Sequence, residues 1–151
     1  MKKKICLIAS SGGHFEQVSM LKDLKEEFNV YIVTEKTKYS TKKDGDYFVI
    51  QLNRREILFP LKFITVFFQS LYIFAKEKPD MIISTGALSV IPTFVIGKIF
   101  NKKLVFIESF AKVKTPTLTG KLLYKFTDVF IIQWEELLKY YPKAIHLGSI
   151  Y

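Results

Sequence analysis

Short apolar runs alternate with longer amphipathic stretches along the whole chain, and that alternation limits the fold more than any single residue does. Residues 5–9, 30–33, 47–52, 81–84, 104–107, 129–132 and 144–147 are too short for helices and rich in Ile, Val, Leu and Phe, so they read as strands. Between the first two, Val18, Leu21, Leu24 and Phe28 recur at three- to four-residue spacing, which predicts a surface helix over 18–28. Further helices are predicted over 57–75, 88–100, 117–126 and 135–140. Strands that are apolar throughout and separated by helices pair in parallel, because each crossover helix covers a sheet face. The expectation is an α/β chain with one parallel sheet and helices on both faces.

The turn after the first strand, Ser10 to Gln17, reads SSGGHFEQ. Gly12 and Gly13 lack the Cβ atoms that would hold a ligand away from backbone, and free N–H groups at a helix start favour anions and polar oxygens. The turn is neither a phosphate loop, since no Gly-Lys-Ser/Thr follows, nor a GxGxxG fingerprint. A plain tight turn would also account for the glycine pair. In a parallel sheet the binding crevice lies at the carboxyl ends of the strands. His14 follows the first strand, Thr85 and Gly86 follow the strand at 81, and Glu108 and Ser109 follow the strand at 104. An imidazole and a carboxylate at one sheet edge suit deprotonation of a hydroxyl. The plain alternatives are a histidine bonding its own helix start, and a Glu108 that pairs with Lys112 or Lys114.

With 151 residues, 49% of them apolar, the chain makes one domain with a real core. Its one cysteine, Cys6, falls inside the first strand and forms no disulfide within the chain. His14 and His146 stand far apart without cysteine or paired carboxylates nearby, so no metal site is expected. The net charge of +9 suggests an anionic partner: nucleic acid, acidic lipid or a phosphorylated substrate. Most aromatics sit in apolar runs, where packing explains them better than base stacking, so nucleic acid is not expected. Lys36, Lys38, Lys42 and Lys43 belong to a polar loop, read as solvated. The apolar run near the amino terminus is too short for a secretory signal, and the reading is a cytoplasmic chain.

Residues 57–75, ILFPLKFITVFFQSLYIFA, have only a narrow polar stripe of Lys62, Thr65 and Gln69, continued by Lys76. Pro60 and Lys62 interrupt the run, which falls short of the ~20 residues that cross a bilayer. Phe59, Phe63, Phe67 and Phe74 are then either covered by the rest of the chain or dipped into a membrane interface. Arg54, Arg55, Lys62, Lys76 and Lys78 rim that patch with positive charge, which favours the interface.

In order, SSGGH after the first strand, STGALSVIP at 84–92 and LVFIESFAK at 104–112 resemble the amino-terminal half of a GT-B glycosyltransferase. They are similar to the acceptor-binding domain of the bacterial enzyme that adds N-acetylglucosamine to the lipid-linked peptidoglycan precursor, although Ser10 and Ser11 stand where that enzyme is richer in glycine. The likeness is closer to short stand-alone relatives: the membrane-associated subunit of the split N-acetylglucosaminyltransferase of asparagine-linked glycosylation, and the PssD-type proteins of capsule and exopolysaccharide synthesis. The resemblance covers nearly the whole chain. It implies that residues 1–151 are a single Rossmann-like half-domain of the GT-B amino-terminal type. It places His14 and Glu108 on the family's histidine and glutamate as assistants of the acceptor hydroxyl, with Ser11, Gly12, Gly13, Thr85, Gly86 and Ser109 binding the acceptor.

The resemblance further implies a second polypeptide that carries the UDP-sugar, with no cofactor bound by this chain and little or no activity from it alone. The reaction implied is inverting transfer of a hexose to an undecaprenyl-diphosphate-linked saccharide at the cytoplasmic face of the membrane, where this subunit is peripheral. Leu147, Ile150 and Tyr151 in the tail HLGSIY are expected to dock the partner, a frayed end being the plain alternative. The rival from another class is a non-catalytic scaffold that recruits a complete enzyme to the membrane.

Overall fold

A computed structural model describes residues 2–151. Strands β1 (Lys4–Ala9), β2 (Asn29–Lys36), β3 (Tyr47–Ile50), β4 (Met81–Gly86), β5 (Lys103–Ile107), β6 (Val129–Ile132) and β7 (Ile145–His146) form one sheet in the order β3-β2-β1-β4-β5-β6-β7. Every neighbouring pair is parallel, as the strand pattern led us to expect. The helices are α1 (Gly13–Ser19), α2 (Phe59–Glu77), α3 (Ile91–Ile99) and α4 (Leu118–Leu123).

Strand β1 is buried on both faces, and its alternation assigns the two layers. Ile5, Leu7 and Ala9 pack with Val18, Ile83 and Ile107 under α1. Cys6 and Ile8 pack with Val33, Val66, Phe94, Leu104 and Phe106 under α2, α3 and α4. Each fully buried aliphatic or aromatic side chain of this kind contributes about 1.5–3 kcal/mol.

The helix expected over 18–28 is divided. Helix α1 starts at Gly13, immediately after Gly12 turns the chain at φ +80°, and ends at Ser19, whose hydroxyl donates back to the Phe15 carbonyl at 2.8 Å. A 3₁₀ turn at Lys22–Glu26 follows. Val18, Leu21, Leu24 and Phe28 still share one cluster, because three-residue spacing suits a 3₁₀ turn as well as an α-helix. The periodicity found the buried face and mistook the helix type. Strand β2 runs on to Lys36 rather than stopping at Val33, which brings Thr34 and Glu35 into the sheet.

The α1 face is thinly covered, and the carboxyl-terminal segment completes it. Ile150 packs on that face beside Ile107 and Ile131, and its N–H donates to Gln133 Oε1 at 2.9 Å. Ile150 is therefore held by its own sheet and is withdrawn as a free docking residue. Leu147 and Tyr151 stay largely exposed.

Helix α2 also departs from expectation. Phe74 is 6% exposed and stacks on Phe100 with ring centroids 5.2 Å apart, so it belongs to the core and not to an interface. Phe59, Phe63 and Phe67 are half-buried, and Phe67 packs on the core. The exposed stripe is Leu61, Ile64, Phe68 and Tyr72, extended by Ile57 and Leu58 before the helix. A helix that is apolar nearly all round has no strong phase of its own, and α3 decides which face it covers. At its far end Glu77 accepts hydrogen bonds from Tyr47 and Lys4, and these two partners, Tyr47 first, hold its carboxyl below the usual carboxylate range.

Burial pushes the Cys6 thiol up to about 12. The folded chain thus favours the neutral thiol; the stabilisation is fully present below the ordinary value of 9.0 and is lost as pH rises from there toward about 12. Burial raises the phenols of Tyr31 and Tyr141 in the same sense. The expected result is a urea midpoint that falls as pH rises above about 9, and a native thiol that resists iodoacetamide at pH 8 until the chain is unfolded.

Candidate functional site

The chain runs outward from β1 through β2 to β3 and returns as β4 on the other side of β1, so the topological switch point lies between β1 and β4. Two turns leave the sheet there and are tied together. Ser10 N–H donates to the Gly86 carbonyl at 2.8 Å, and Ala87 N–H donates to Ser10 Oγ at 3.2 Å. Thr85 Oγ1 donates to the His14 carbonyl at 2.6 Å.

His14 Nδ1 lies 2.6 Å from the Thr85 carbonyl oxygen. A carbonyl only accepts, so Nδ1 carries a proton, and in the neutral form of the half-buried ring Nε2 is the acceptor. Gly86 makes this placement possible. Its φ of +110° is foreign to other residues, and a Cβ there would lie 2.9 Å from two atoms of the imidazole. Gly86→Ala is expected to displace the ring and lower any activity that depends on it by at least tenfold; steady-state kinetics of the purified variant check this.

Ser11, Gly12 and Gly13 lead from β1 to His14. Gly12 and Gly13 are exposed, whereas Ser11 turns toward β2 and donates its N–H and Oγ–H to Glu35 Oε2 at 3.2 and 3.0 Å. Glu35 is 4% exposed and also accepts the Leu52 N–H on Oε1 at 3.2 Å. A strand expected to stop at Val33, before the first polar residue, leaves Glu35 outside the sheet, whereas β2 includes it. The signal was present, since Glu35 continues the buried parity of Tyr31 and Val33.

Glu108 does not reach the crevice. It shares parity with Leu104 and Phe106, whose side chains lie under α3 and α4, whereas α1 and His14 are on the opposite face. Its side chain is fully buried, and four donors occupy it. Ser109 N–H and Thr117 Oγ1 reach Oε1 at 2.9 and 2.8 Å, and Thr117 N–H and Tyr141 Oη reach Oε2 at 3.1 and 2.8 Å. Neither Lys112 nor Lys114 pairs with it. The expected role as a proton acceptor is corrected: Glu108 is a positioning residue that folds the loop after β5 back onto α4. Thr117, which it orients, caps that helix by accepting the Gly120 N–H at 2.8 Å. Ser109 is itself buried and supports Glu108 in place of facing an acceptor.

The α1 face has its own polar link, which the sequence reading missed. Gln17 Oε1, one turn beyond His14, accepts from the Phe110 N–H and from Gln133 Nε2, and the same Gln133 amine donates to the Glu108 carbonyl. The buried amides of Gln17 and Gln133 thus lock α1 to the ends of β5 and β6.

A family of proteins described as oligosaccharide biosynthesis protein Alg14 like matches residues 5–150. Rattus norvegicus UDP-N-acetylglucosamine transferase subunit ALG14 is 27% identical, across 97% of this chain and 82% of that protein. Among solved structures, Acinetobacter baumannii MurG superposes at a TM-score of 0.72 with 17% identity, covering 89% of this chain and 42% of that one. UDP-N-acetylglucosamine 2-epimerase from Rickettsia bellii reaches a TM-score of 0.78 with 14% identity, covering 99% and 46%. This chain spans less than half of either solved protein, and at such identities the likeness establishes the Rossmann-like fold alone. With that fold and a family match running almost from end to end, the chain belongs to the Alg14-like family of oligosaccharide biosynthesis proteins.

Proposed function

We propose that this chain is the acceptor-binding, membrane-facing subunit of a two-component glycosyltransferase that moves N-acetylglucosamine from a UDP-sugar to a lipid-linked saccharide. The observation that carries the reading is the contact of His14 Nδ1 with the Thr85 carbonyl at the switch point, which in the neutral ring leaves Nε2 to accept a proton. The name of the rat relative, UDP-N-acetylglucosamine transferase subunit ALG14, supports the choice of sugar. An undecaprenyl carrier and a capsule or exopolysaccharide product rest on the resemblance to PssD-type proteins.

In the proposed step the acceptor hydroxyl donates to Nε2. As its oxygen bonds to the sugar's anomeric carbon, the bond from that carbon to UDP breaks on the opposite face and the centre inverts. The hydroxyl proton passes to Nε2, and the Thr85 carbonyl steadies the imidazolium. UDP departs on the partner subunit, where the donor is held, and this chain needs no cofactor of its own. The exposed Leu147 and Tyr151 are the proposed contacts with that partner.

Membrane attachment is proposed through the exposed stripe Leu61, Ile64, Phe68 and Tyr72, peripheral and on the cytoplasmic face. Among the described residues no helix is long and apolar enough to cross a membrane. A cleft of about 260 Å³ bordered by Arg54, Lys112, Thr117 and Leu118 combines two cations with exposed apolar surface, the chemistry of a lipid diphosphate. Leu61→Glu with Phe68→Glu is expected to lower affinity for anionic vesicles at least tenfold in a flotation assay, because each lost apolar contact is worth about 1.5–3 kcal/mol. The urea midpoint is expected to stay put, since both side chains already face water.

The function is tested by following label from UDP-N-acetylglucosamine into the native membrane lipid with this chain, with an extract lacking it, and with both. Transfer only in the mixture is expected. Equal transfer by the extract alone would replace this reading with the scaffold.

A further inference from the structure

A crevice beside the His14 turn lies at the carboxyl ends of β1 and β2, under the loop that follows β2. It measures about 510 Å³, and its walls include Thr34, Glu35, Lys38, Tyr39, Asp44 and Gln51. Nothing in the proposed proton transfer uses it. Ser11, Gly12 and Phe15 line it too, so it adjoins the turn that carries His14.

Its chemistry is unlike the rest of the surface. The chain carries +9, yet this crevice sets the carboxylates of Glu35 and Asp44 against the single ammonium of Lys38. That balance repels phosphate and nucleotide and suits a neutral ligand rich in hydroxyls. One buried polar group in it is unfinished. Glu35 receives three hydrogen bonds, whereas a carboxylate offers about four lone-pair sites, which leaves acceptor capacity on Oε1. Gln51 adds an exposed amide, donor and acceptor together, whose Nε2 lies 3.5 Å from Ser11 Oγ. Tyr39 is 90% exposed beside these groups, a flat apolar ring on which the C–H face of a sugar can lie.

We propose that this crevice seats a neutral pyranose, the sugar unit of the lipid-linked acceptor, and thereby determines which sugar is extended. The proposal rests on the transferase reading above for the identity of that sugar as acceptor. Glu35 and Gln51 meet its hydroxyls, Tyr39 covers one ring face, and Ser11 joins the bound sugar to the His14 turn. The lysines of the β2–β3 loop, read from sequence as a solvated stretch, then divide: Lys38 borders the ligand, while Lys42 and Lys43 do not line the crevice.

Two arms test this. In the reconstituted transfer assay, Tyr39→Ala and Gln51→Ala are each expected to raise the acceptor KM about tenfold, the size of one lost contact of about 1.4 kcal/mol. The donor KM is expected to stay fixed and kcat to remain within about twofold. Acceptor KM values within about twofold of wild type in both variants would overturn the proposal while leaving the transferase reading intact. The second arm needs no transfer. ¹⁵N spectra of the full chain are recorded with methyl glycosides of N-acetylglucosamine, glucose, galactose and mannose, and with inorganic pyrophosphate. Shifts at Ser11, Thr34 and Gln51 with one of the glycosides are expected even if the transfer assay fails. Shifts there with pyrophosphate, or with none of the glycosides, would overturn the proposal.

Discussion

His14→Ala is expected to lower turnover of the reconstituted transferase by about 10²- to 10⁴-fold, the range that general-base assistance supplies. The loss is expected in kcat more than in either KM, because Nε2 acts on the proton that moves and not on the groups that bind. The fold is expected to survive. The imidazole is only half-buried, and the turn keeps the Ser10 to Gly86 and Ala87 to Ser10 hydrogen bonds, which do not involve it. Removing the ring exposes the Thr85 carbonyl to water, which replaces the lost donor. Circular dichroism and a urea titration on the same preparation separate the catalytic loss from unfolding. A variant that keeps wild-type turnover would remove His14 from the chemistry.

Glu108→Ala is expected to act in the opposite way, through stability. Four donors converge on this fully buried carboxylate, and its removal leaves the Ser109 and Thr117 N–H groups and the Thr117 and Tyr141 hydroxyls facing a void. Each buried donor left without an acceptor costs about 1–3 kcal/mol, so a total loss of about 3–5 kcal/mol is expected. In a chain of this size that is on the order of 10 °C in Tm. Glu108→Gln keeps the shape but points an NH₂ group at donors, so it is expected to lose roughly half as much. Gly120→Ala strikes the same cluster sterically, because a Cβ there would lie 2.1 Å from Glu108 Oε2 and 2.7 Å from Tyr141 Oη. Thermal melts of the three variants are expected to rank Gln as the mildest. A Glu108→Ala protein as stable as wild type would contradict the structural role and reopen a catalytic one.

The sheet was legible because its determinants are local: each strand is a short apolar run, and each is followed by punctuation that stops it. His14, Thr85 and Gly86 were legible for a related reason, since a parallel sheet delivers the residues after its strands to one edge. Glu108 shows where that reasoning ends. Position along the chain put it at the right edge, but parity with Leu104 and Phe106 decides which face its side chain takes, and that parity was available to be counted. Glu35 was hidden differently. A carboxylate is expected to lie outside until its partners are known, and Ser11 and Leu52 are supplied by segments 24 and 17 residues away. The phase of α2 was not available at all, because Phe59, Phe63 and Phe67 look as apolar in sequence as Leu61, Ile64 and Phe68; contact with α3 and Phe100 separates them.

The division of labour between the two subunits is the central claim, and binding to this chain alone tests it most directly. Isothermal titration of the full chain is made with UDP-N-acetylglucosamine and, separately, with a short-chain lipid-linked N-acetylglucosamine diphosphate. Heat from the lipid-linked sugar and none from the nucleotide sugar is the expected result. Binding of UDP-N-acetylglucosamine with no binding of the lipid-linked sugar would assign this chain to the donor and contradict the account.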